Sequence, residues 1–183
     1  MWSEKYRPQN ISDMVGNEEP RVAIMKWFAK WKKGTKPLLI VGPPGIGKTT
    51  IAYLLAKQFG YDMIGLNASD VRSKSRINEI LTPVLGNVSV LGTPMIFVDE
   101  VDGIHGRGDY GGAAALVDIL KKPNVPILLA ANYDDSDKMK SIKKAATTIS
   151  FKKIPPRLLR VYLDNILKKE NTKLSPGSLI KVI

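Results

Sequence analysis

"PLLIVGPPGIGKTTIAYLLAKQFG", residues 37–60, decides the fold. Its opening run, Leu38 to Val41, has the length of one strand and is apolar at every position, which suits a strand buried on both faces. "KTTIAYLLAKQF" then carries a helical apolar stripe, with Gly60 placed to stop it. Between them, "GPPGIGKT" (42–49) matches the phosphate-binding spacing G-x-x-x-x-G-K-[ST] in the strand–turn–helix context that this motif needs. Gly42, Gly45 and Gly47 let successive backbone N–H groups turn inward at a helix N-terminus, an anion nest that Pro43, Pro44 and Ile46 complete. Lys48 can reach the terminal phosphates of a nucleotide, and the Thr49 hydroxyl, followed by Thr50, can ligate magnesium. A chance glycine turn is the bland alternative, and the complete motif in context weighs against it.

Outward from this segment, "DMIGLN" (62–67), "PMIFVDE" (94–100) and "PILLAAN" (126–132) are further strand-length apolar runs, with "TTISF" (147–151) a weaker fifth. Helical patterns alternate with them. Ile24, Trp27, Phe28 and Trp31 share a face before the first strand, Ile77, Ile80, Leu81, Val84 and Leu85 form another stripe, and "AAALVDILKK" a third. Strands alternating with helices predict an α/β fold with a parallel sheet covered on both sides. At "FKKIPPRLLRVYLDNILKKEN" the pattern changes to helix alone, opened by Pro155 and Pro156 and striped by Leu159, Leu163 and Ile166. The reading is a nucleotide-binding domain over residues 1–153 and the start of a helical appendage over 154–183, cut short inside "SPGSLIKVI".

Ligands of a parallel sheet gather at the carboxyl ends of its strands. Asp99 ends the run "MIFVD" and is placed to join Thr49 at the magnesium; Glu100 can polarise a water aligned with a γ-phosphate. Asp102 reads as a loop or helix-start residue. Asn132 ends a strand expected to lie beside those of the phosphate loop and Asp99, where its amide can hold the attacking water or a γ-phosphate oxygen. The alternative for each is a structural carboxylate or turn amide.

The totals fit these motifs. The chain has 183 residues, 44% hydrophobic and 25% charged, enough for one domain with a sizeable core. It has no cysteine, which removes disulfides, thiolate zinc sites and cysteine nucleophiles. No run approaches the ~18 apolar residues of a membrane span, and "MWSEKYRPQN" lacks a signal-peptide layout, so a soluble cytoplasmic protein is expected. The net charge of +11 favours a polyanionic partner such as nucleic acid, against the plainer reading of a solvated lysine surface. From Lys138 to Lys173 eleven Lys and Arg face only Asp164 and Glu170, and Lys26, Lys30, Lys32, Lys33 and Lys36 form a second cluster.

In order, "WSEKYRP", "GPPGIGKTT", "LNASD" (66–70), "IFVDEVD" and the Asn132 run resemble the AAA+ ATPase module of clamp loaders, and more narrowly that of replication factor C. The resemblance runs from Trp2 to about Glu170; "EKYRP" with "NASD" is its selective part. It implies a five-stranded αβα sheet with a helical lid beginning near Ile154. It implies ATP and Mg2+ as cofactors, and an adenine pocket lined by Tyr6, Arg7, Pro8 and the turn around Val15; the plainer reading of Tyr6–Pro8 is an arm that packs on the domain. The partners it implies are clamp-loader small subunits, a sliding clamp and primer–template DNA. Two departures point to a large subunit, expected to be of the archaeal type because the chain starts directly at the ATPase module. "DEVDGIHGRGDYGG" is longer and richer in glycine than the small subunits' "DEADSL", and "KKAATTISF" stands where they carry Ser-Arg-Cys, whose arginine reaches a neighbour's ATP. A nuclear location would apply to a eukaryotic homologue. His105 has no companion ligands, so no metal role is expected. Lys74 and Arg76, with Arg107, are the candidates for DNA backbone contact; a solvated helix face is the alternative. Rival readings are an ATP-binding scaffold that hydrolyses little, an origin-binding initiator, against which "EKYRP" and "NASD" weigh, and a Holliday-junction motor, which shares a similar N-terminal stretch.

Overall fold

In the computed structural model, which describes residues 1–67, 70, 73–86, 92–104, 111–132 and 137–173, each apolar run becomes a strand of one sheet. The strands are β1 (Leu38–Val41), β2 (Tyr61–Leu66), β3 (Thr93–Val98), β4 (Ile127–Ala131) and β5 (Thr147–Ser150). All pairings are parallel, in the order β2-β3-β4-β1-β5, giving the expected five-stranded sheet. Burial follows position in that order. Central β1 and β4 are buried at every residue, while the edge strands β2 and β5 are half-exposed, so continuous apolarity marks the middle of the sheet.

Helices cover both faces: α2 (Glu18–Ala29), α3 (Lys48–Phe59), α4 (Lys74–Gly86), α5 (Gly112–Lys121) and α6 (Asp137–Ala145), with α1 (Trp2–Lys5) before and α7 (Pro156–Lys169) after. Alternate strand residues feed two cores, as the two-residue strand period requires. Leu39, Val41, Ile96, Val98 and Leu129 pack with Ile77 and Leu81 of α4, Leu116 and Leu120 of α5, and Met139 and Ile142 of α6. Leu38, Ile40, Met95, Phe97 and Leu128 pack with Ile24 and Phe28 of α2 and Ile51 and Leu55 of α3.

Two details differ from the sequence reading. Helix α2 ends at Ala29, so Trp31 lies beyond it, where Gly34 and Thr35 turn the chain back by donating to Pro123 O and Lys32 O. On α7 the deepest burial is at Ile166 and Leu167; Leu159 and Leu163 are half-buried. That helix does open at Pro156 with Pro155 as its N-cap. The end of the chain, "SPGSLIKVI", lies outside the described residues.

Two ties bind the N-terminal segment to the chain around α7. Asn17, in the left-handed region at φ +50°, donates Nδ2 to Lys152 O (2.9 Å) and accepts from Lys152 N (2.8 Å). Farther on, Tyr162 donates to Tyr6 O (2.8 Å), while Tyr6 and Lys5 both donate to Glu170 Oε1, at 2.6 and 2.7 Å. These bonds hold the Glu170 carboxyl below the usual carboxylate range and push the Tyr6 hydroxyl up.

Candidate functional site

Three neighbouring strands end at one cleft. Gly42 follows β1, Asp99 follows β3 and Asn132 follows β4, and β4 lies between the other two. The cleft holds about 280 Å³ and is lined by Gly45, Lys48, Thr49, Asp99, Glu100 and Asn132, among others. Pro44, Gly47 and Thr50 also line it, while Ile46 is buried in the core beneath.

Glycine is required in this loop for two separate reasons. Gly47 caps α3 at φ +92°, a conformation that L side chains avoid, and a Cβ there would lie 2.8 Å from Met14 Cε. Gly42 is needed for space. A Cβ on it would meet the Phe151 backbone oxygen and the Ile46 Cδ1, each at 2.6 Å. The loop is thus pressed between the "MVGNEEP" turn, which carries Met14, and the residue that follows β5.

Lys48 opens α3 and is buried, with its three ammonium hydrogens all engaged. It donates to Gly42 O (2.7 Å), Pro43 O (2.9 Å) and Asn132 Oδ1 (3.1 Å). Burial pushes its pKa down, and the carboxylates of Asp99, Asp102 and Glu100 oppose the shift. Thr49 Oγ1 donates to Asp99 Oδ2 at 2.7 Å, and Asp99 Oδ1 accepts from Glu100 N at 2.9 Å. Asp99 itself donates its amide to Leu66 O, so the sheet continues one residue past β3 and fixes the carboxylate. Glu100 adopts φ +51°, which costs an L residue roughly 1–2 kcal/mol. This turn starts a 3-10 helix, Val101–Ile104, anchored by two buried residues, Val101 and Ile104, and by Gly103 N donating to Glu100 O (2.8 Å). Glu100 is exposed at the mouth of the cleft.

Lys48, Thr49, Asp99, Glu100 and Asn132 therefore converge. Asp102, expected as a loop or helix-start residue, does sit in the first turn of the 3-10 helix, but its bonds to Asn132 are not foreseen from the sequence. It accepts from both Asn132 N (3.0 Å) and Asn132 Nδ2 (3.1 Å). Its signal was the motif's third acid, three residues after Asp99, but the partner lies 30 positions away.

The remaining candidates stand elsewhere. Tyr6, Arg7, Pro8 and Val15 are not among the described residues lining the cleft: Tyr6 is tied to α7, Arg7 pairs with Glu4 at 2.9 Å, and Pro8 and Val15 are half-buried. Lys74 and Arg76 lie in the first turn of α4, capped by Ser73 Oγ, which accepts from Arg76 N; Arg76 pairs with Glu79. Ser73 also bridges to Gly111, so the chain after the acidic motif returns beside that turn. Arg107 and His105, and Ala68 and Ser69 of "NASD", lie outside the described residues. Ala145 ends α6, Ala146 is buried, and Lys143 and Lys144 occupy the helix's last turn. Among the described residues no helix is long and apolar enough to cross a membrane, and no group of three or more His, Cys, Asp or Glu could hold a metal.

The model of the ATPase family associated with various cellular activities (AAA) matches residues 38–170. Along nearly its whole length the chain is also similar to curated proteins named replication factor C large subunit. That of Thermofilum pendens is 42% identical over 179 residues, 95% of this chain and 43% of the relative. That of Methanosphaera stadtmanae is 39% identical, over 97% of this chain and 34% of the relative. That of Archaeoglobus fulgidus is 36% identical, over 100% and 40%. The chain spans less than half the length of these relatives.

Proposed function

Because the chain belongs to the AAA family of ATPases, we propose that it forms the ATP-binding and ATP-hydrolysing part of a clamp-loader large subunit, which opens a sliding clamp and loads it onto primer–template DNA. The observation that carries the chemistry is the convergence of Lys48, Thr49, Asp99, Glu100 and Asn132 on one cleft. The similarity to replication factor C large subunits supports the clamp-loader part.

Each residue has a role that follows from its chemistry. The amides of residues 45–49 receive the phosphate oxygens at the N-terminus of α3. Lys48 exchanges its resting carbonyl partners for β- and γ-phosphate oxygens. The Thr49 hydroxyl donates a hydrogen bond to Asp99 and keeps its lone pairs, so the two would supply hard oxygen ligands of the kind Mg2+ takes, the rest coming from phosphate and water. A magnesium ion held by Thr49 and Asp99 would neutralise negative charge on the phosphates. Glu100 accepts a proton from water as the water oxygen bonds to the γ-phosphorus; the bond to the β-phosphate oxygen breaks, releasing ADP and inorganic phosphate.

Tyr6, Arg7, Pro8 and Val15 bind adenine, and residues from Ile154 onward begin a lid over the nucleotide. Lys74 and Arg76 follow the DNA backbone without reading sequence. The subunit accepts a catalytic arginine from a small subunit and donates none, since Ala145-Ala146-Thr147-Thr148 stands where small subunits carry Ser-Arg-Cys. The test is assembly: the chain in its full-length protein, immobilised, is expected to retain clamp-loader small subunits and, with ATP, the sliding clamp. Retention of neither removes the clamp-loader reading.

A further inference from the structure

The Asn132 amide is held from both sides by groups of opposite character. Asp102, on the 3-10 helix after β3, accepts from Asn132 N at 3.0 Å through Oδ1 and from Asn132 Nδ2 at 3.1 Å through Oδ2. Lys48 donates to Asn132 Oδ1 at 3.1 Å. A carboxylate only accepts and an ammonium only donates, so both contacts demand the same orientation of the amide. Turning it over would set Oδ1 against the Asp102 carboxylate and Nδ2 against the Lys48 ammonium. The 3-10 helix is itself pinned by buried Val101 and Ile104, so Asp102 is presented from a fixed element.

We propose that Asp102 is a positioning residue for the hydrolysis reaction: it locks Asn132 with its carbonyl oxygen, an acceptor, facing the cleft. The proposal rests on the hydrolase reading above and adds to it the reason for the motif's third acid, after Asp99 and Glu100. An attacking water must keep a lone pair aimed at phosphorus, so both of its O–H bonds have to be donated. Glu100 accepts one. Asn132 Oδ1 accepts the other once Lys48 has turned to the phosphates. An amide N–H in the same place cannot accept that O–H and would instead compete for the water's lone pairs. Asp102 thus decides between the two roles open to a strand-end asparagine, and assigns this one to the water rather than to a γ-phosphate oxygen.

Asp102→Asn tests this in the full-length subunit assembled with its small subunits. The introduced amide confronts Asn132 Nδ2 with another N–H donor, a conflict relieved when Asn132 turns over. ATP affinity is expected to stay within about threefold of the parent, since no phosphate contact is lost, while turnover falls by ~10²-fold, the scale of a misplaced reacting group. On an Asn132→Ala background Asp102→Asn should cost far less turnover, because only its bond to the backbone N–H of residue 132 and its charge near Lys48 then remain to be lost. The exchange pair Asp102→Asn with Asn132→Asp restores an acceptor toward the cleft and should recover part of the rate. Unchanged turnover in Asp102→Asn, or an equal loss with and without Asn132, overturns the proposal. Glu100→Gln separates the two levels: if it too leaves turnover intact, the hydrolase reading itself has failed. The parent chain gives a readout independent of any variant's folding. Of its two Asn132 Nδ2 protons, the one donated to Asp102 should be slow to exchange with solvent; equally rapid exchange of both contradicts the lock.

Discussion

Replacing Lys48 by alanine perturbs the cleft in a way whose size can be worked from its contacts. The ammonium is buried and donates to Gly42 O, Pro43 O and Asn132 Oδ1 at 2.7–3.1 Å. These bonds are neutral–charged contacts that phosphate binding trades for contacts between opposite charges, so the lysine favours the bound state by the difference. A charge-assisted hydrogen bond contributes about 1.5–3 kcal/mol net. Its loss should weaken ATP binding by roughly 10- to 150-fold. The free protein is affected less, because burial already opposes the charged lysine. Lys48→Ala also removes the donor from Gly42 O, a separate cost to folding that a thermal melt without nucleotide measures. Lys48→Arg should not restore affinity, since a planar fork cannot replace a point charge seated between two carbonyls of a tight loop. Calorimetric titration with a non-hydrolysable ATP analogue and Mg2+ is the assay. Affinity of Lys48→Ala within twofold of the parent refutes the phosphate-loop assignment.

Other perturbations probe the surroundings. Gly42→Ala drives a Cβ to 2.6 Å from the Phe151 oxygen, and because that atom is backbone the end of β5 has to move; overpacking of this kind costs about 1–3 kcal/mol and should lower Tm by roughly 2–12 °C, whereas an unchanged melt would mean the loop has slack. The Glu170 carboxyl lies below its ordinary value and Tyr6 and Lys5 above theirs, so the tie between α1 and α7 is complete between the carboxylate and tyrosine ranges. Its contribution should disappear as pH falls through the lowered Glu170 pKa, with NMR resonances of residues 2–6 moving together, and should be absent in Glu170→Gln; resonances indifferent to both changes would dissolve the tie. DNA binding by the assembled ring should fall linearly in log K with log salt, by about 0.9 per phosphate contacted, and neutralising Lys74 and Arg76 should flatten that slope; strong preference for one base sequence would instead favour an initiator.

What could be read from the chain follows the range of the interactions. The phosphate loop was legible because its geometry is local: glycines, a lysine and a hydroxyl within eight positions, between a strand and a helix that declare themselves. The central strands were legible because burial on both faces leaves no polar position in β1 or β4. Helix α6 was not, since Met139 and Ile142, with Ala145 at the core's margin, are too few in a lysine-rich segment to set a period. Asp102 with Asn132, and Tyr6 with Glu170, are pairings across 30 and 164 positions that composition and spacing do not encode. The sequence reading put Asn132 at the right strand end but left its amide's orientation open; the acceptor and donor on either side of it exist only in the fold.

On the proposed function, this cleft hydrolyses ATP when a neighbouring small subunit completes it. The direct measurement is phosphate release from a ring whose small subunits carry disabled phosphate loops, with clamp and primed DNA, so that only the site of Lys48 and Glu100 can turn over. The lone chain should bind ATP and hydrolyse it very slowly. Small subunits and DNA should stimulate release, by ~10³–10⁵ where an arginine supplied in trans acts as such fingers do. Glu100→Gln, and replacement of the small subunit's Ser-Arg-Cys arginine, should each abolish that stimulation with ATP still bound. Full-rate hydrolysis by the lone chain, or release from the ring indifferent to Glu100→Gln, would contradict the account.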